Sequence, residues 1–413
     1  MNKFASVILF LICLNCFSQN SLNIIDNEQY SSFYINDTIL GIPIFSNNSF
    51  DFYSNTKLNK FISIENKNIT LDFSEFISSC RNFKFSLISD NNLIHFGFPS
   101  SNKYYSFGYN LSSYFDVNIS NELIDLFWNG NSQYLNNFVG FYNNSGSLLQ
   151  FSTLYFQISF LLNENLKFGS RINFLHGINY LNFENANFSL YSSENNITPF
   201  STSIETDILY RSSNANYFGF SNPGFSINIG AEYKLKNWKF LLDIRNLGFI
   251  FWQKKNKLSQ SNESYDFNGV YYTMDEIFTE EVNQTIDTLE SLFSLDDLPE
   301  NNFITRLPFR ANINSSYSIN SSTDLFIKYF VVEKNNSGYI HHAFLGAYKS
   351  FNEIINIQIA YNLNNIGFEN LQLGLSKRFK NLFIELNTNN IFSLFDFLST
   401  NYLNFQTRLT YVF

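Results

Sequence analysis

Apolar and polar residues alternate along residues 104–120, which read YYSFGYNLSSYFDVNIS. One face of this stretch carries Tyr105, Phe107, Tyr109, Leu111, Phe115, Val117 and Ile119, and the other carries Ser106, Gly108, Asn110, Ser112, Asp116 and Asn118. Successive side chains of a strand point to opposite faces, so the pattern predicts a strand with one apolar and one polar side. Strands of soluble sheets average about five or six residues. A strand of about ten or more residues with this pattern is typical of one that crosses a lipid bilayer.

The same alternation recurs along most of the chain, for example at 225–235, 355–363 and 403–413. Inside a bilayer every backbone N–H and C=O group needs a partner, so a sheet there must close on itself. The alternating segments are 48–54, 84–98, 104–119, 148–162, 166–182, 224–235, 238–252, 307–319, 322–333, 340–351, 353–364, 369–379, 382–391 and 402–413. The sequence therefore predicts an all-β fold, a closed antiparallel transmembrane β-barrel of about fourteen strands.

The connections between these segments alternate between short and long. Short turns such as 163–165 and 236–237 alternate with long connections such as 120–147, 183–223 and 253–306. Barrels of the outer membrane place short turns in the periplasm and long loops outside the cell. The order of the connections thus predicts both the orientation of the barrel and a periplasmic position for its two ends.

Three segments between the strands have helical patterns: Asp72–Cys80, Glu122–Trp128 and Met274–Phe293. In the last of these, apolar residues recur every three or four positions and acidic residues occupy the other face. We expect this helix to pack onto neighbouring loops; the alternative is that it caps the barrel mouth or binds a partner. Residues 19–47 precede the first predicted strand, and they form either a plug inside the barrel or a periplasmic tail.

The beginning of the chain has the features of a secretory signal peptide. Lys3 supplies a positive charge, Phe4–Leu14 form a short apolar core, and Cys16–Ser18 resemble a signal-peptidase site. Cleavage would leave Cys80 as the only cysteine, which excludes an internal disulfide. The expected organisation is a signal peptide at 1–18, an N-terminal segment at 19–47, and a barrel at 48–413 with a helical outer-loop insert at about 253–306.

Composition and charge narrow the class of partner. Aromatic residues make up 19% of the chain and charged residues only 15%, against about 25% in soluble domains. The net charge of −9 argues against binding to nucleic acid, and outer-membrane lipid is the expected partner instead. Aromatic residues near predicted strand ends are expected to form girdles at the two membrane interfaces, namely Tyr104, Tyr105, Tyr210, Trp238, Phe251, Trp252 and Tyr411.

The chain ends on an aromatic residue that is in register with the last amphipathic segment. Leu409, Tyr411 and Phe413 occupy alternate positions of this segment. The pattern resembles the signal that the barrel assembly machinery reads in outer-membrane proteins. We therefore expect this machinery to be a second partner.

Several stretches in a fixed order carry a resemblance to a known family: Leu40–Pro43, Leu123–Asn131, Leu166–Tyr180, Asn222–Leu235, Asp243–Trp252, Leu307–Pro308 and Thr388–Ile391. They resemble an uncharacterised Bacteroidota family of outer-membrane β-barrels that is known only as a domain of unknown function. That family is distantly similar to the FadL-type long-chain fatty-acid transporters, which implies a fourteen-stranded barrel with an N-terminal plug. Asn246 departs from the family pattern, which usually has an acidic residue there, and the resemblance implies no catalytic residues.

Alternation along the predicted strands indicates which charged residues face the interior. They are Asp116, Arg171, Glu232, Lys239, Asp243, Arg245, Arg310, Glu385 and Arg408, together with Lys234, Lys328 and Arg378. Buried charges need partners, so we expect a network of ion pairs across the interior. The alternative is a substrate path that these residues line.

No sequence pattern indicates catalysis, a metal or a cofactor. His341 and His342 are adjacent and point to opposite faces of a predicted strand, so they do not chelate one ion. The spacings of zinc sites and of the common nucleophile motifs do not occur in the chain. We therefore expect a protein that is not an enzyme and binds no cofactor.

Two main functions are compatible with these features, besides a simple open diffusion pore. The first is transport of a hydrophobic or amphipathic small molecule across the outer membrane. The second is a non-enzymatic role as a barrel component of a secretion, surface-attachment or envelope-assembly complex, with an envelope protein as partner. An apolar route from the loops into the interior would favour transport, and a sealed interior beside an exposed apolar stripe on Met274–Phe293 would favour the second role.

Overall fold

The computed structural model describes residues 37–44, 46–65, 68–79, 81–193, 201–216, 221–267, 296–298, 301–334, 338–351, 355–364 and 370–413. The predicted signal peptide and the predicted helix Met274–Phe293 lie outside the described residues and stay predictions. Residues 19–36 also lie outside the described residues, so their assignment to a plug or to a periplasmic tail stays a prediction.

Fourteen antiparallel strands form one closed barrel, as the alternation predicted. The wall strands are β1 (Ile39–Gly41 and Asn47–Ser54), β2 (Asn82–Ser100), β3 (Lys103–Ser120), β4 (Ser145–Asn163), β5 (Leu166–Ser193), β6 (Pro223–Leu235), β7 (Trp238–Trp252), β8 (Arg310–Asn320), β9 (Thr323–Lys334), β10 (Gly338–Phe351), β11 (Ile355–Asn364), β12 (Leu371–Phe379), β13 (Leu382–Thr388) and β14 (Tyr402–Val412). Each strand pairs with the next along the chain, and pairing of β14 with β1 closes the wall. Closure leaves no unpaired strand edge in the wall.

The first wall strand is interrupted. Ile39–Gly41 and Asn47–Ser54 each pair with β14 on one side and with β2 on the other. Between them, Pro43 has no N–H to donate, and Ile44 has a φ of 72°, which is strained for a β-branched residue. The wall therefore begins before residue 48. The sequence placed its start at residue 48 because this break interrupts the alternation of apolar and polar residues.

The two ends of the barrel differ. At one end, here called the turn end, tight turns such as 101–102, 236–237 and 380–381 join neighbouring strands. At the other, the loop end, further strands continue the sheet: Phe138–Phe141, Ser201–Asn214, Lys257–Ser261, Ser264–Phe267, Asp296–Leu298 and Phe303–Arg306. The connections expected at 183–223 and 253–306 are thus partly sheet. Alternation does not reveal these strands, because a strand outside lipid needs no apolar row.

In the described parts of the loop-end connections there are three short helices: α1 (Ser74–Ser79), α2 (Asn121–Asn129) and α3 (Phe392–Phe395). The first lies within the predicted helical segment Asp72–Cys80, and the second extends one residue beyond each end of the predicted segment Glu122–Trp128. Single 3₁₀ turns at Leu58–Lys60, Ser132–Tyr134 and Phe397–Ser399 accompany them. Among the described residues, no helix has both the length and the apolar character needed to cross a membrane.

The two faces of the wall differ in polarity as the alternation predicted. In β8, Ile313 is exposed on the outside, whereas its neighbour Asn312 is buried on the inside. Two residues predicted to belong to the outer girdles, Tyr104 and Trp252, are instead fully buried on the inner face. Glycines make room for them, because a Cβ at Gly97 would meet Tyr104 and one at Gly177 would meet Trp252.

Candidate functional site: the barrel interior

Inward side chains fill the barrel in three layers that follow each other along its axis. A turn-end layer contains ion pairs between neighbouring strands. A middle layer is a network of charged and amide side chains around Arg310. A loop-end layer is an apolar cluster that includes Trp252.

The turn-end layer contains two groups of paired charges. Glu232 on β6 lies 3.1 Å from Lys167 Nζ on β5 and 3.4 Å from Lys239 Nζ on β7. Glu385 on β13 and Arg408 on β14 are opposite each other in register, 3.3 Å apart, and both side chains are only 1% exposed. Each carboxylate thus has a cation on an adjacent strand, which offsets the cost of removing it from water.

Arg310 of β8 links opposite walls in the middle layer. Its Nη1 lies 3.1 Å from Asp90 Oδ2 on β2, and its guanidinium lies 5.2 Å from the centre of the Tyr114 ring. Asp90 also accepts hydrogen bonds from Ser112 Oγ, at 3.0 Å, and from Asn110 Nδ2. Because β2 and β8 are not neighbours in the sheet, this contact crosses the barrel.

A second carboxylate in the middle layer is held by neutral donors. Asp51 accepts from Asn404 Nδ2 at 2.7 Å, from the Tyr402 hydroxyl at 3.0 Å and from the Tyr53 hydroxyl at 3.3 Å. The Tyr53 hydroxyl is also 3.2 Å from His342 Nε2. These contacts connect β1, β10 and β14 on one side of the interior.

Two further cations complete the middle layer. Arg171 donates to Gln157 Oε1 from both Nε, at 2.9 Å, and Nη2, at 2.7 Å. Its guanidinium also lies 4.3 Å from the centre of the Tyr155 ring. Arg245 forms an ion pair with Asp243, two positions away on the same face of β7.

Asn246 occupies a β-bulge in β7 with a φ of 63°, a conformation that asparagine adopts more readily than most residues. Its N–H donates to Asn228 Oδ1 at 2.9 Å. Its side-chain amide donates to the Pro308 carbonyl at 2.9 Å and to the Tyr114 hydroxyl at 3.3 Å. An ionised carboxylate has no hydrogen to donate to the Pro308 carbonyl, so the amide suits this position.

Cavities remain between the layers. A mixed cavity of ≈ 110 Å³ is lined by Ile88, Phe330 and Val332 and also by Arg310 and Lys328. A smaller polar cavity of ≈ 60 Å³ adjoins Asp90, Tyr155 and Arg171, while a loop-end cavity of ≈ 470 Å³ is bordered by Asp116, Lys84, Glu184 and Lys334. The first two are small compared with pockets for organic ligands, which measure roughly 300–1,000 Å³.

The loop-end layer is built around three aromatic rings. The Tyr180 ring lies 5.3 Å from Trp252 and 5.1 Å from Phe303, centre to centre. Trp252 Nε1 donates to Thr305 Oγ1 at 2.8 Å, and the Arg211 guanidinium lies 4.9 Å from the Phe303 ring. Further buried members of this cluster are Tyr53, Ile88, Tyr114, Leu149, Phe151, Leu175, Ile250, Leu307, Val332, Ile340 and Tyr402.

The structure places the charged residues predicted to face inward in different layers. Glu232, Lys239, Glu385 and Arg408 lie in the turn-end layer, Arg171, Asp243, Arg245 and Arg310 lie in the middle layer, and Asp116 contacts Ser86 nearer the loop end. Three further charged residues that face inward, Asp51, Asp90 and Lys167, were not among those predicted. The signal was available, because Asp51 alternates with Phe50 and Phe52, and Asp90 shares the parity of Ser86.

The described residues also locate the three C-terminal residues that were predicted to form an assembly signal, and they bear on metal binding. Tyr411 and Phe413 are exposed and their rings lie 4.9 Å apart, while Leu409 pairs with Ile384 of β13. Within the described part of the chain, no group of three or more His, Cys, Asp or Glu residues is arranged to hold a metal ion.

Comparison with known proteins relates this barrel to one family. The profile of a family of unknown function, DUF5723, matches residues 34–387, which agrees with the resemblance noted in the sequence. A search of curated proteins found no match.

Several solved structures are similar to this chain. The toluene transporter TbuX of Ralstonia pickettii has 9% sequence identity and a TM-score of 0.44, with 95% of this chain and 94% of that chain covered. The toluene transporter TodX of Pseudomonas putida has 9% identity and a TM-score of 0.42, covering 96% and 93%. A Pseudomonas aeruginosa FadL homologue has 13% identity and a TM-score of 0.44, covering 92% and 91%.

Proposed function

Because the chain belongs to the family of unknown function DUF5723, whose description gives no activity, we propose its function from the barrel interior. The protein is a barrel of the outer membrane that moves a small hydrophobic or amphipathic molecule through its interior. One observation carries the proposal: the mixed cavity has apolar walls and cationic groups together, directly beside the apolar loop-end layer.

The mixed cavity offers both kinds of contact that an amphipathic molecule needs. Ile88, Phe330 and Val332 provide apolar surface, and Val332 also belongs to the loop-end cluster. Lys328 Nζ lies 5.8 Å from the centre of the Phe330 ring, so charge and aromatic surface occupy the same wall. Apolar walls with a few polar groups that fix orientation are typical of ligand sites.

Passage through the barrel requires movement in the middle layer. The contact between Arg310 and Asp90 joins opposite walls, and the cavities beside it measure only ≈ 110 and ≈ 60 Å³. A molecule of about ten heavy atoms would therefore displace side chains as it passes. This feature favours a gated route over a permanently open pore, and the proposal needs no catalytic group.

A pair of neighbouring substitutions tests the proposal. Asn312 borders the mixed cavity, and an indole at this position would occupy it, whereas Ile313 points to the outside of the same strand. In cells with an intact outer membrane, we expect Asn312→Trp to lower protein-dependent uptake of the dye N-phenyl-1-naphthylamine several-fold. Ile313→Trp should leave uptake unchanged, and heat-modifiable gel mobility would show that both variants are folded.

Native mass spectrometry of the gently extracted protein provides a second measurement. A small hydrophobic molecule that co-purifies with the wild type and is lost from folded Asn312→Trp would support transport and begin to identify the substrate. Equal dye uptake by wild type, Asn312→Trp and cells without the protein would contradict it.

The size of the loop-end insertions supports a second candidate function, a non-enzymatic component of a secretion, surface-attachment or envelope-assembly complex. Ser201–Asn214 and Lys257–Ser261 extend the sheet beyond the wall and offer a surface to an envelope protein. A stoichiometric protein partner in the same mass spectrum, with dye uptake independent of the protein, would favour this alternative.

A further inference from the structure

A continuous series of aromatic rings runs along the outside of the barrel from β1 to β3 and continues into the loop-end connections. The centre of the Phe85 ring lies 6.4 Å from that of Phe52 on β1, 5.3 Å from Phe83 and 5.6 Å from Phe115 on β3. These residues alternate with buried inward residues such as Ser86 and Tyr114, so they lie on the outer face.

The connection between β1 and β2 packs against the loop-end edge of this outer face. Phe83 contacts Phe61 at 5.5 Å and Phe76 of α1 at 5.7 Å, centre to centre. Phe61 also stacks on Phe73 at 5.1 Å, and Phe73 meets Trp128 of α2 at 5.3 Å. We call residues 58–65, 68–79 and 121–129 the apolar collar.

The collar exposes an apolar face that its own contacts do not cover. A two-stranded hairpin, Ile62–Glu65 with Asn68–Leu71, pairs Ile64 with Ile69 and Ile62 with Leu71, which places all four on one side. Ile64 is 51%, Ile69 70% and Leu71 50% exposed. An isolated hairpin is at best marginally stable in water, so this face requires another surface to cover it.

The sheet extension on the far side of the loop end is different in character. The facing positions of β5 and Ser201–Asn214 join polar side chains, such as Ser192 with Thr202 and Ser189 with Glu205. Farther out, a hydrogen bond from Ser259 and the Lys257 ammonium lower the pKa of the Asp297 carboxyl. The polar side chains of this region suit contact with water, whereas the apolar face of the collar does not.

We propose that the apolar collar is immersed in the headgroup and upper acyl region of the lipid leaflet that surrounds the loop end. Lipid is the favoured occupant because the collar continues the outward aromatic rows of β1–β3, which meet lipid if the barrel spans a membrane as proposed above. Trp128, 42% exposed beside Phe127 at 82%, is the residue type enriched at that depth. Lys57 and Arg81 flank the collar and suit anionic headgroups.

Tryptophan quenching in vesicles tests this inference. The chain has three Trp residues: Trp128 in the collar, Trp238 exposed on the outside at the turn end, and Trp252 buried in the interior. The full chain, Trp128→Phe and Trp238→Phe would be reconstituted into phosphatidylcholine vesicles with bromine at the upper acyl carbons. The difference between wild type and each variant isolates the signal of one Trp.

We expect brominated lipid to remove at least half of the Trp128 signal, while aqueous iodide quenches it little. Ile69→Asp should make Trp128 several-fold more sensitive to iodide, because a charge on the apolar face of the hairpin lifts the collar out of the lipid. Thr70→Asp, which places the same charge on the opposite face, is the matched control and should leave the quenching unchanged.

The other outcomes overturn the inference in distinguishable ways. Quenching of Trp128 by iodide but not by lipid, with Trp238 quenched by lipid, would place the collar in water while the barrel still spans the membrane. Shielding from both quenchers that disappears when the protein is diluted in lipid would show that a second copy covers the collar. If neither Trp128 nor Trp238 responds to lipid, the membrane-spanning premise of the proposed function fails as well.

Discussion

The two ends of the barrel interior are built from the same strands but differ in chemistry: ion pairs between neighbouring strands lie at the turn end, and an apolar cluster lies at the loop end beside a charged cavity. At the turn end, inward positions carry Glu385 with Arg408 and Glu232 with two lysines. At the loop end, the inward positions of β5 and β7 carry Tyr180 and Trp252 in an apolar cluster. Along β7 the inward positions pass from Lys239 through Asp243 to Trp252, because the β-bulge at Asn246 shifts the alternation by one residue.

This difference shows that alternation and layering are separate properties of the sequence. Alternation only requires that the outer residue be apolar in lipid, so the inner residue is free to vary along the barrel axis. At the turn end, the inward positions carry opposite charges that form ion pairs between neighbouring strands. The loop end uses the same freedom to create an apolar surface at the entrance of the proposed route.

The largest effect is expected from breaking the buried ion pair of the turn end. Arg408→Met leaves the Glu385 carboxylate buried without this cation and should lower the free energy of unfolding by about 3–5 kcal/mol. Urea unfolding of the barrel in detergent would measure the change. The double variant Arg408→Met, Glu385→Met is the control and should recover much of the loss; a double variant as unstable as the single one would contradict the ion-pair explanation.

At the loop end, Trp252→Ala should cost slightly less, about 3 kcal/mol, through lost packing and a cavity beside Tyr180 and Phe303. Unlike the turn-end variant, it should also increase uptake of N-phenyl-1-naphthylamine, because it widens the loop-end layer. Trp238→Ala, on the outer face, is the matched control for removal of an indole. If both variants change uptake equally, the apolar layer is not part of the route.

The middle layer connects the two ends, and Asn246 tests its rigidity. Asn246→Asp removes the amide donor to the Pro308 carbonyl and should cost about 1–3 kcal/mol in the free energy of unfolding. Asn246→Gly keeps the positive φ of the bulge and removes the same side-chain bonds, so it separates backbone strain from hydrogen bonding. A full loss with Asp and none with Gly would point to charge rather than to the lost donor.

The smallest effect concerns the partly exposed group of the turn end. Glu232→Gln should lower the free energy of unfolding by about 1 kcal/mol or less, because Lys167 and Lys239 remain 20% and 33% exposed and regain water. Urea titrations at low and high salt would measure it, and salt should reduce the difference between variant and wild type. An effect as large as that of Arg408→Met would erase the distinction between the two groups.

The sequence by itself determined the strands of the barrel and which face of each strand is apolar. A transmembrane strand must show its apolar row in every second position, so the wall strands were visible from alternation, while helices α1 and α2 were visible from helical patterns. The same rule identified most inward charges, since parity is a local property. It failed at β1, where Pro43 and Ile44 interrupt the pattern, and in the sheet beyond the membrane, where no apolar row is required.

Only the tertiary structure decided which inward residues meet and which aromatic residues are buried. Arg310 and Asp90 are far apart in the chain and on strands that do not pair, so closure of the barrel alone brings them together. Trp252 was expected at the membrane interface and lies inside, because the β-bulge at Asn246 reverses the alternation of β7 and Gly177 on β5 leaves space for the ring. The alternating pattern of a strand depends only on neighbouring residues, whereas contacts across the interior depend on the closure and register of the whole barrel.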